Sequence, residues 1–256
     1  MSSNPYATPR AAVAEEPAGP GEFVPGGQRV PASHGWTWIA DAWTLYKAAP
    51  FLWIGVLIVF WLMLFASALV PLLGGIAASL LMPVLVAGLL SGCRAIDEGG
   101  ELKFDQLFDG FRDKAGKLVL VGALSIAAGF VVGIVVVVGV VAVALATGMN
   151  ADVLTTMGPL VALLLVLVVL ALSVPIAAAM WFAPALVFLQ DLDPIEAVKA
   201  SFVGCLRNVV PFLVYGLAGF ALAIVATIPI FLGWLVLGPV MAASVYTSYR
   251  DIYYRR

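Results

Sequence analysis

Residues 118–146 read LVLVGALSIAAGFVVGIVVVVGVVAVALA, a run with no charged side chain and one hydroxyl, Ser125. A helix rises ~1.5 Å per residue and about 20 residues cross a hydrocarbon layer of ~30 Å, so this run is a transmembrane span with length to spare. The rest of the chain follows the same pattern. No charged residue lies between Lys47 and Arg94 or between Arg207 and Arg250, and only Asp152 interrupts the stretch from Lys117 to Asp191. Each block is long enough for two crossings. Six spans are predicted near 51–70, 73–92, 118–146, 159–189, 209–228 and 231–248, and the fold class is all-α: a polytopic transmembrane helix bundle of three hairpins. For the first and third hairpins a re-entrant pair would give the same charge pattern. Full crossing is favoured because irregular backbone facing lipid leaves polar groups unpaired.

Composition agrees. The chain has 256 residues, 63% hydrophobic and 11% charged, against roughly 45–50% apolar and about 25% charged in a soluble domain. With a mean hydropathy of +1.08 this excludes a soluble globular protein. The net charge of -2 excludes a basic nucleic-acid binder.

Orientation follows from the basic residues, which are retained on the cytoplasmic side. All 13 fall on one side of the predicted spans, from Arg10, Arg29 and Lys47 at the start to Arg250, Arg255 and Arg256 at the end. Both termini are expected on the cytoplasmic side of the membrane. Residues 1–35 are rich in proline and glycine and are predicted to be a disordered cytoplasmic tail, with 36–252 as the six-span domain and 253–256 as a cytoplasmic end. No cleavable signal precedes the first span.

An amphipathic stretch leads into each hairpin. In the first, Trp36, Ile39, Ala40, Trp43 and Tyr46 share a helical face, with Ser33 as an N-cap residue. The second places Phe104, Leu107, Phe108 and Phe111 at i, i+3, i+4, i+7. The third begins Asp193-Pro194-Ile195-Glu196, an N-cap, a proline at N1 and an acid at N3. Each has the form of a helix lying in the cytoplasmic interface. With the match of Ala49-Pro50-Phe51-Leu52 to Val210-Pro211-Phe212-Leu213, they suggest three copies of one unit: interfacial helix, span, turn, span.

Chemistry is sparse. No ionisable residue is predicted inside a span, where such groups are costly and mark function. His34 is the sole histidine, and Cys93 and Cys205 lack histidine partners, so neither a catalytic nor a metal or cofactor site is expected. The docking candidates are interfacial: Trp36, Trp43, Phe104, Phe108 and Phe111, with Asp193, Glu196, Lys199, Arg207, Asn208, Arg250 and Asp251. Ser125, Gly129 and Gly133 form a small-residue packing face. Pro83, Pro175, Pro184 and Pro239 are the candidate kinks.

The runs Gly35-Trp36-Thr37-Trp38-Ile39, Leu107-Phe108-Asp109-Gly110-Phe111-Arg112, Trp181 to Val187, Cys205-Leu206-Arg207-Asn208 and Ser248-Tyr249-Arg250-Asp251-Ile252 resemble a group of uncharacterised proteobacterial inner-membrane proteins. The resemblance covers residues 35–252 and implies a six-span membrane fold with no established activity. The function expected is that of a non-enzymatic scaffold, assembly or envelope-homeostasis factor. A permease or lipid-handling transporter for a neutral or amphiphilic molecule is the alternative. Membrane lipids are the expected partners, together with other membrane proteins or a second copy; nucleic acid is not.

Overall fold

The computed structural model describes residues 21–71, 73–148 and 151–255. Residues 1–20 of the expected tail, Asn150 of the expected outer loop and Arg256 lie outside these. In chain order the elements are β1 (Glu22–Phe23), α1 (His34–Ala48), α2 (Pro50–Ala68), α3 (Gly74–Asp97), a 3₁₀ turn (Phe104–Phe108), α4 (Asp109–Asp113), α5 (Ala115–Thr147), α6 (Ala151–Trp181), α7 (Ala183–Gln190), α8 (Pro194–Arg207), α9 (Val209–Thr227), α10 (Trp234–Tyr253) and β2 (Tyr254–Arg255). The fold is all-α apart from the short β1–β2 ribbon. Consecutive helices α2 and α3, α5 and α6, and α9 and α10 pack side by side.

Among the described residues five helical segments are long and apolar enough to cross a membrane: Pro50–Ala68, Gly74–Asp97, Ala115–Ala146, Gly158–Gln190 and Val209–Thr227. The sixth expected span coincides with α10, but that helix starts at Trp234 rather than near 231. Its second half carries Thr247, Ser248, Arg250 and Asp251, which lowers its apolarity.

The core thins along these helices, with Leu64, Ala226 and Leu237 among the scattered buried positions toward their far ends. Its largest buried side chains, including Trp38, Trp53, Leu90, Leu107, Leu186 and Tyr253, gather at one end, where the charged residues also collect. Beyond that base the helix pairs are largely exposed, and the most apolar stretches of α5 and of Gly158–Gln190 have no fully buried residue.

The fourth expected span, 159–189, is interrupted at Phe182, between α6 and α7. In an unbroken helix the Phe182 N–H would donate to the Ala178 carbonyl. Instead the Ser201 hydroxyl, fully buried on α8, stands between them: it accepts from Phe182 N at 2.9 Å and donates to Ala178 O at 2.7 Å. A side chain inserted into the ladder is a recognised cause of a helix break. Pro184, in the first turn of α7, adds to it by lacking an N–H. Pro83 and Pro239 are buried inside α3 and α10, while Pro175 lies exposed inside α6.

Two glycine contacts set how closely helices approach. The second amphipathic stretch is a 3₁₀ turn followed by one helical turn, rather than the single helix its spacing predicts, because it is pressed onto α3. A Cβ on Gly110 would overlap the Val84 carbonyl, and one on Gly88 would overlap that of Leu107. On α5, a Cβ on Gly122 would come 2.6 Å from the Ser79 oxygen, the carbonyl that Pro83 leaves without its helical partner. The Gly122 backbone thereby covers that carbonyl.

Ser201→Ala should orphan a buried N–H and a buried carbonyl and cost about 1–3 kcal/mol. A thermal or denaturant unfolding series in detergent measures it. Gly110→Ala should destabilise by a similar amount, because backbone and not a flexible side chain has to move.

Candidate functional site

The first functional feature is a strap. Residues 21–33 were expected to be part of a disordered tail, yet they lie across the ends of α8 and α10. Glu22 and Phe23 pair antiparallel with Arg255 and Tyr254. Val24 N donates to Tyr253 O at 2.9 Å, and Gln28 N to Ile252 O at 2.8 Å. The Gln28 amide donates again to Asp251 O and Tyr254 O, and Phe23 stacks on Tyr253. These bonds give the segment the partners that its composition could not supply locally.

Arg207 and Asn208 receive the strap at the junction of α8 and α9. Arg207 donates to the carbonyls of Gly26 and Gly27 at 2.9 and 2.8 Å. Asn208 is fully buried: its amide donates to Gln28 O and Gly204 O, and its oxygen accepts from Val30 N, all at 2.9 Å.

Asp251 on α10 accepts from Trp38 Nε1 at 2.8 Å and lies 2.8 Å from His34 Nδ1, fastening α1 to α10. Thr247 adds a bond to the Trp38 carbonyl at 2.7 Å. One turn away Arg250 pairs with Asp97 at the end of α3, and Tyr246 donates to the same carboxylate. Gln190, the last residue of α7, donates to the hydroxyls of Tyr249 and Tyr254. Lys114 and Lys117 close the circuit from the start of α5. They donate to Phe188 O and Asp191 O, and both meet the Asp191 carboxylate, at 3.1 and 2.9 Å. Cations at the carbonyl end of α7 suit its dipole. The Lys117 hydrogen bond, followed by that of Lys114, holds the Asp191 carboxyl below the usual carboxylate range.

Of the sequence-level candidates, Arg207, Asn208, Arg250 and Asp251 therefore meet in one hydrogen-bonded base. Asp193 caps α8, accepting from Ile195 N at 3.0 Å, while Glu196 and Lys199 stay on its exposed face. Ser33 occupies the N-cap position of α1 without a capping bond. On α1 the buried stripe is Trp38, Ile39, Ala42, Leu45 and Tyr46, so Ile39 and Tyr46 turn inward and Trp36 and Trp43 outward. Leu107 likewise turns inward and leaves Phe104, Phe108 and Phe111 as an outer ladder with ring centroids 6.4 Å apart. A Cβ on Gly129 or Gly133 would meet nothing within 4 Å, so that face of α5, with Ser125 one turn earlier, is unused within the chain at both glycines. Sequence reasoning missed Gln28, Asp97, Gln190 and Ser201. Their partners lie 19 to 226 residues away, and no local spacing signals such bonds.

Above the base, α2, α3 and α10 border a lateral groove of about 890 Å³ walled by apolar and indole side chains. A smaller one of about 490 Å³ lies between Trp36 and Trp43 of α1 and the far halves of α9 and α10. Among the described residues every buried side-chain polar atom is partnered, and no group of three His, Cys, Asp or Glu stands close enough to hold a metal ion. Both cysteines are free, and burial pushes the Cys205 thiol up to about 12, far from the thiolate that reacts. Chemically, the base is suited to fixing helices relative to one another.

Asn208→Ala should release the strap, costing about 1–3 kcal/mol and exposing residues 21–33 to limited proteolysis. Because Asp191 has a depressed folded value, its contribution is present above the ordinary carboxylate range and lost as pH falls through that depressed value. The Tm difference between wild type and Asp191→Asn should accordingly shrink on acidification.

A probable inner membrane protein of Burkholderia thailandensis is 30% identical to this chain over 207 residues, covering 76% of the chain and 75% of that protein. No protein-family profile and no solved structure matches it. On that likeness, and with its long apolar helices, the chain belongs to the family of this probable bacterial inner membrane protein.

Proposed function

We propose that the chain is a six-span inner-membrane protein that works without catalysis, as a scaffold, assembly or envelope-homeostasis factor, with its hydrogen-bonded base on the cytoplasmic side. One observation carries the reading: the main charged clusters of the base bond back onto the chain, while the helix pairs turn wide apolar faces to their surroundings. Such a base holds helices in place. Reaction chemistry at membrane depth would need ionisable groups along the spans, and the apolar windows carry almost none.

The pairing of β1 with β2 supports an even number of crossings. It joins the segment before α1 to the segment after α10, so both ends of the described chain lie on one side. Five crossings would separate them. Counting α10 as the sixth restores the parity, and the distribution of basic residues supports a cytoplasmic position for the shared side.

In a background with Cys93 and Cys205 replaced by alanine, Asp152→Cys should react with a membrane-impermeant maleimide in intact spheroplasts, and Lys103→Cys and Lys199→Cys only after permeabilisation. Labelling of all three from one side would overturn the six-span reading. Purified protein in liposomes should pass neutral and amphiphilic solutes no faster than protein-free liposomes do; flux well above that background would overturn the scaffold reading in favour of a permease.

A further inference from the structure

We infer that the turn between α2 and α3 ends inside the hydrocarbon of the membrane, so that this hairpin enters and returns on the cytoplasmic side while α5 and α6 cross. The inference rests on the membrane placement proposed above and refines its crossing count. A hairpin that returns keeps that count even, as the β1–β2 pairing asks.

Two close approaches fix how far the turn stands from charge. On α5, the Gly122 backbone meets Ser79 and Leu80 of α3. Five residues separate Gly122 from Lys117, and six separate Leu80 from Gly74, where α3 begins. At ~1.5 Å per residue, with the contact between them, Gly74 stands no more than about 20 Å from Lys117. The second approach is independent: Gly110 of α4 meets the Val84 carbonyl, ten residues from Gly74. It sets about the same bound from the helical turn that carries Asp109 and Arg112.

These charges mark a membrane surface. Lys117 pairs with Asp191, whose side chain is 66% exposed, and Arg112 pairs with Asp105 and Asp109. Such groups stay in water or among headgroups, because ionised side chains are costly at membrane depth. A lysine can reach the surface from below it, but the short side chain of Asp191 does not. Measured from that surface, about 20 Å falls short of the ~30 Å of hydrocarbon. Helix α5 continues from Gly122 for 25 residues to Thr147, about 37 Å, so its far end passes well beyond the turn.

The turn is suited to lipid. Leu69 and Leu73 are 65% and 60% exposed, with Val70 and Pro71 exposed between them, so its surroundings meet apolar side chains. Irregular backbone in hydrocarbon has to supply its own partners. Leu69 N donates to Ala66 O and Val70 N to Ser67 O, both at 3.3 Å, while Leu73 N donates to Pro71 O at 2.7 Å and Gly74 N to Val70 O at 2.8 Å. Pro71 has no N–H to satisfy. The hydroxyls of Ser67 and Ser79 donate to Leu64 O and Gly75 O. The objection to a returning hairpin, unpaired backbone in lipid, is met within the turn itself. Such a hairpin displaces more acyl chain from the cytoplasmic leaflet than from the other and acts there as a wedge.

Single cysteines are placed in the full-length protein with Cys93 and Cys205 replaced by alanine: Val70→Cys and Leu73→Cys in the turn, with Asp152→Cys and Lys103→Cys as references. Both turn positions are exposed, so neither substitution threatens folding. In intact spheroplasts they should react with a membrane-impermeant maleimide severalfold less than Asp152→Cys. After permeabilisation they should react severalfold less than Lys103→Cys, and in dodecyl sulfate fully. A nitroxide at Leu73→Cys in phosphatidylethanolamine–phosphatidylglycerol vesicles should collide with oxygen more than with a nickel chelate, the reverse of one at Asp152→Cys. Turn labelling from outside as strong as that of Asp152→Cys, or equal access of the chelate to the two nitroxides, would place the turn in outer water. That result, by full crossing or through a thinned bilayer, would overturn the inference and leave six crossings standing. Turn labelling as strong as that of Lys103→Cys after permeabilisation alone would overturn it too, by placing the turn in the cytoplasm. If Asp152→Cys and Lys103→Cys themselves labelled alike from one side, it is the membrane placement that would fall.

Discussion

Inside a bilayer, apolar helices gain little by touching one another that lipid does not also offer, so cohesion must come from polar bonds and close packing. This chain concentrates both at one end. Asp251 fastens α1 to α10, Asp97 fastens α3 to α10, Gln190 brings in α7, and Ser201 locks α8 into the break between α6 and α7. Beyond such bonds burial thins to scattered positions such as Phe60, Leu64 and Ala226. The helix pairs continue as exposed apolar rods, and the grooves between them are the geometric result of joining helices at one end only.

The same separation explains the unequal lengths. Helices α2 and α9 have 19 residues each, roughly 28 Å at ~1.5 Å per residue, and match a hydrocarbon layer of ~30 Å. Helix α5 has 33 residues, or about 50 Å. A helix that long has to tilt or thicken the membrane around it. Near its first turns Leu118 and Val121 are buried and Gly122 meets Ser79, while the most apolar stretch beyond them has no fully buried residue.

The apolar runs announce the helices because the composition of a span is dictated by its solvent and needs no knowledge of neighbours. That is why Asp193, Pro194 and Glu196 could be assigned to the start of α8, and why Arg207 and Asn208 stood out at its end. The errors have a common cause. Gly21 to Ser33 reads as a tail because its partners, Tyr253, Ile252 and Asn208, come from the other end of the chain. Phe108 and Leu107 share a stripe on a helical projection, yet only Leu107 is buried, because Gly88 and Gly110 draw that stretch onto α3 at an angle the spacing does not encode. The break at Phe182 depends on a hydroxyl 19 residues away.

What could be read from the residues in order was the solvent that the charge-free runs prefer, which is lipid. That is a one-body property, set by transfer free energies of individual side chains. Which helix touches which, that the two ends of the chain are tied together, and that the prominent polar residues face the protein's own backbone are many-body properties. They follow from hydrogen bonds and close approaches between residues as far apart as Gln28 and Tyr254, and such contacts exist only once the chain has folded.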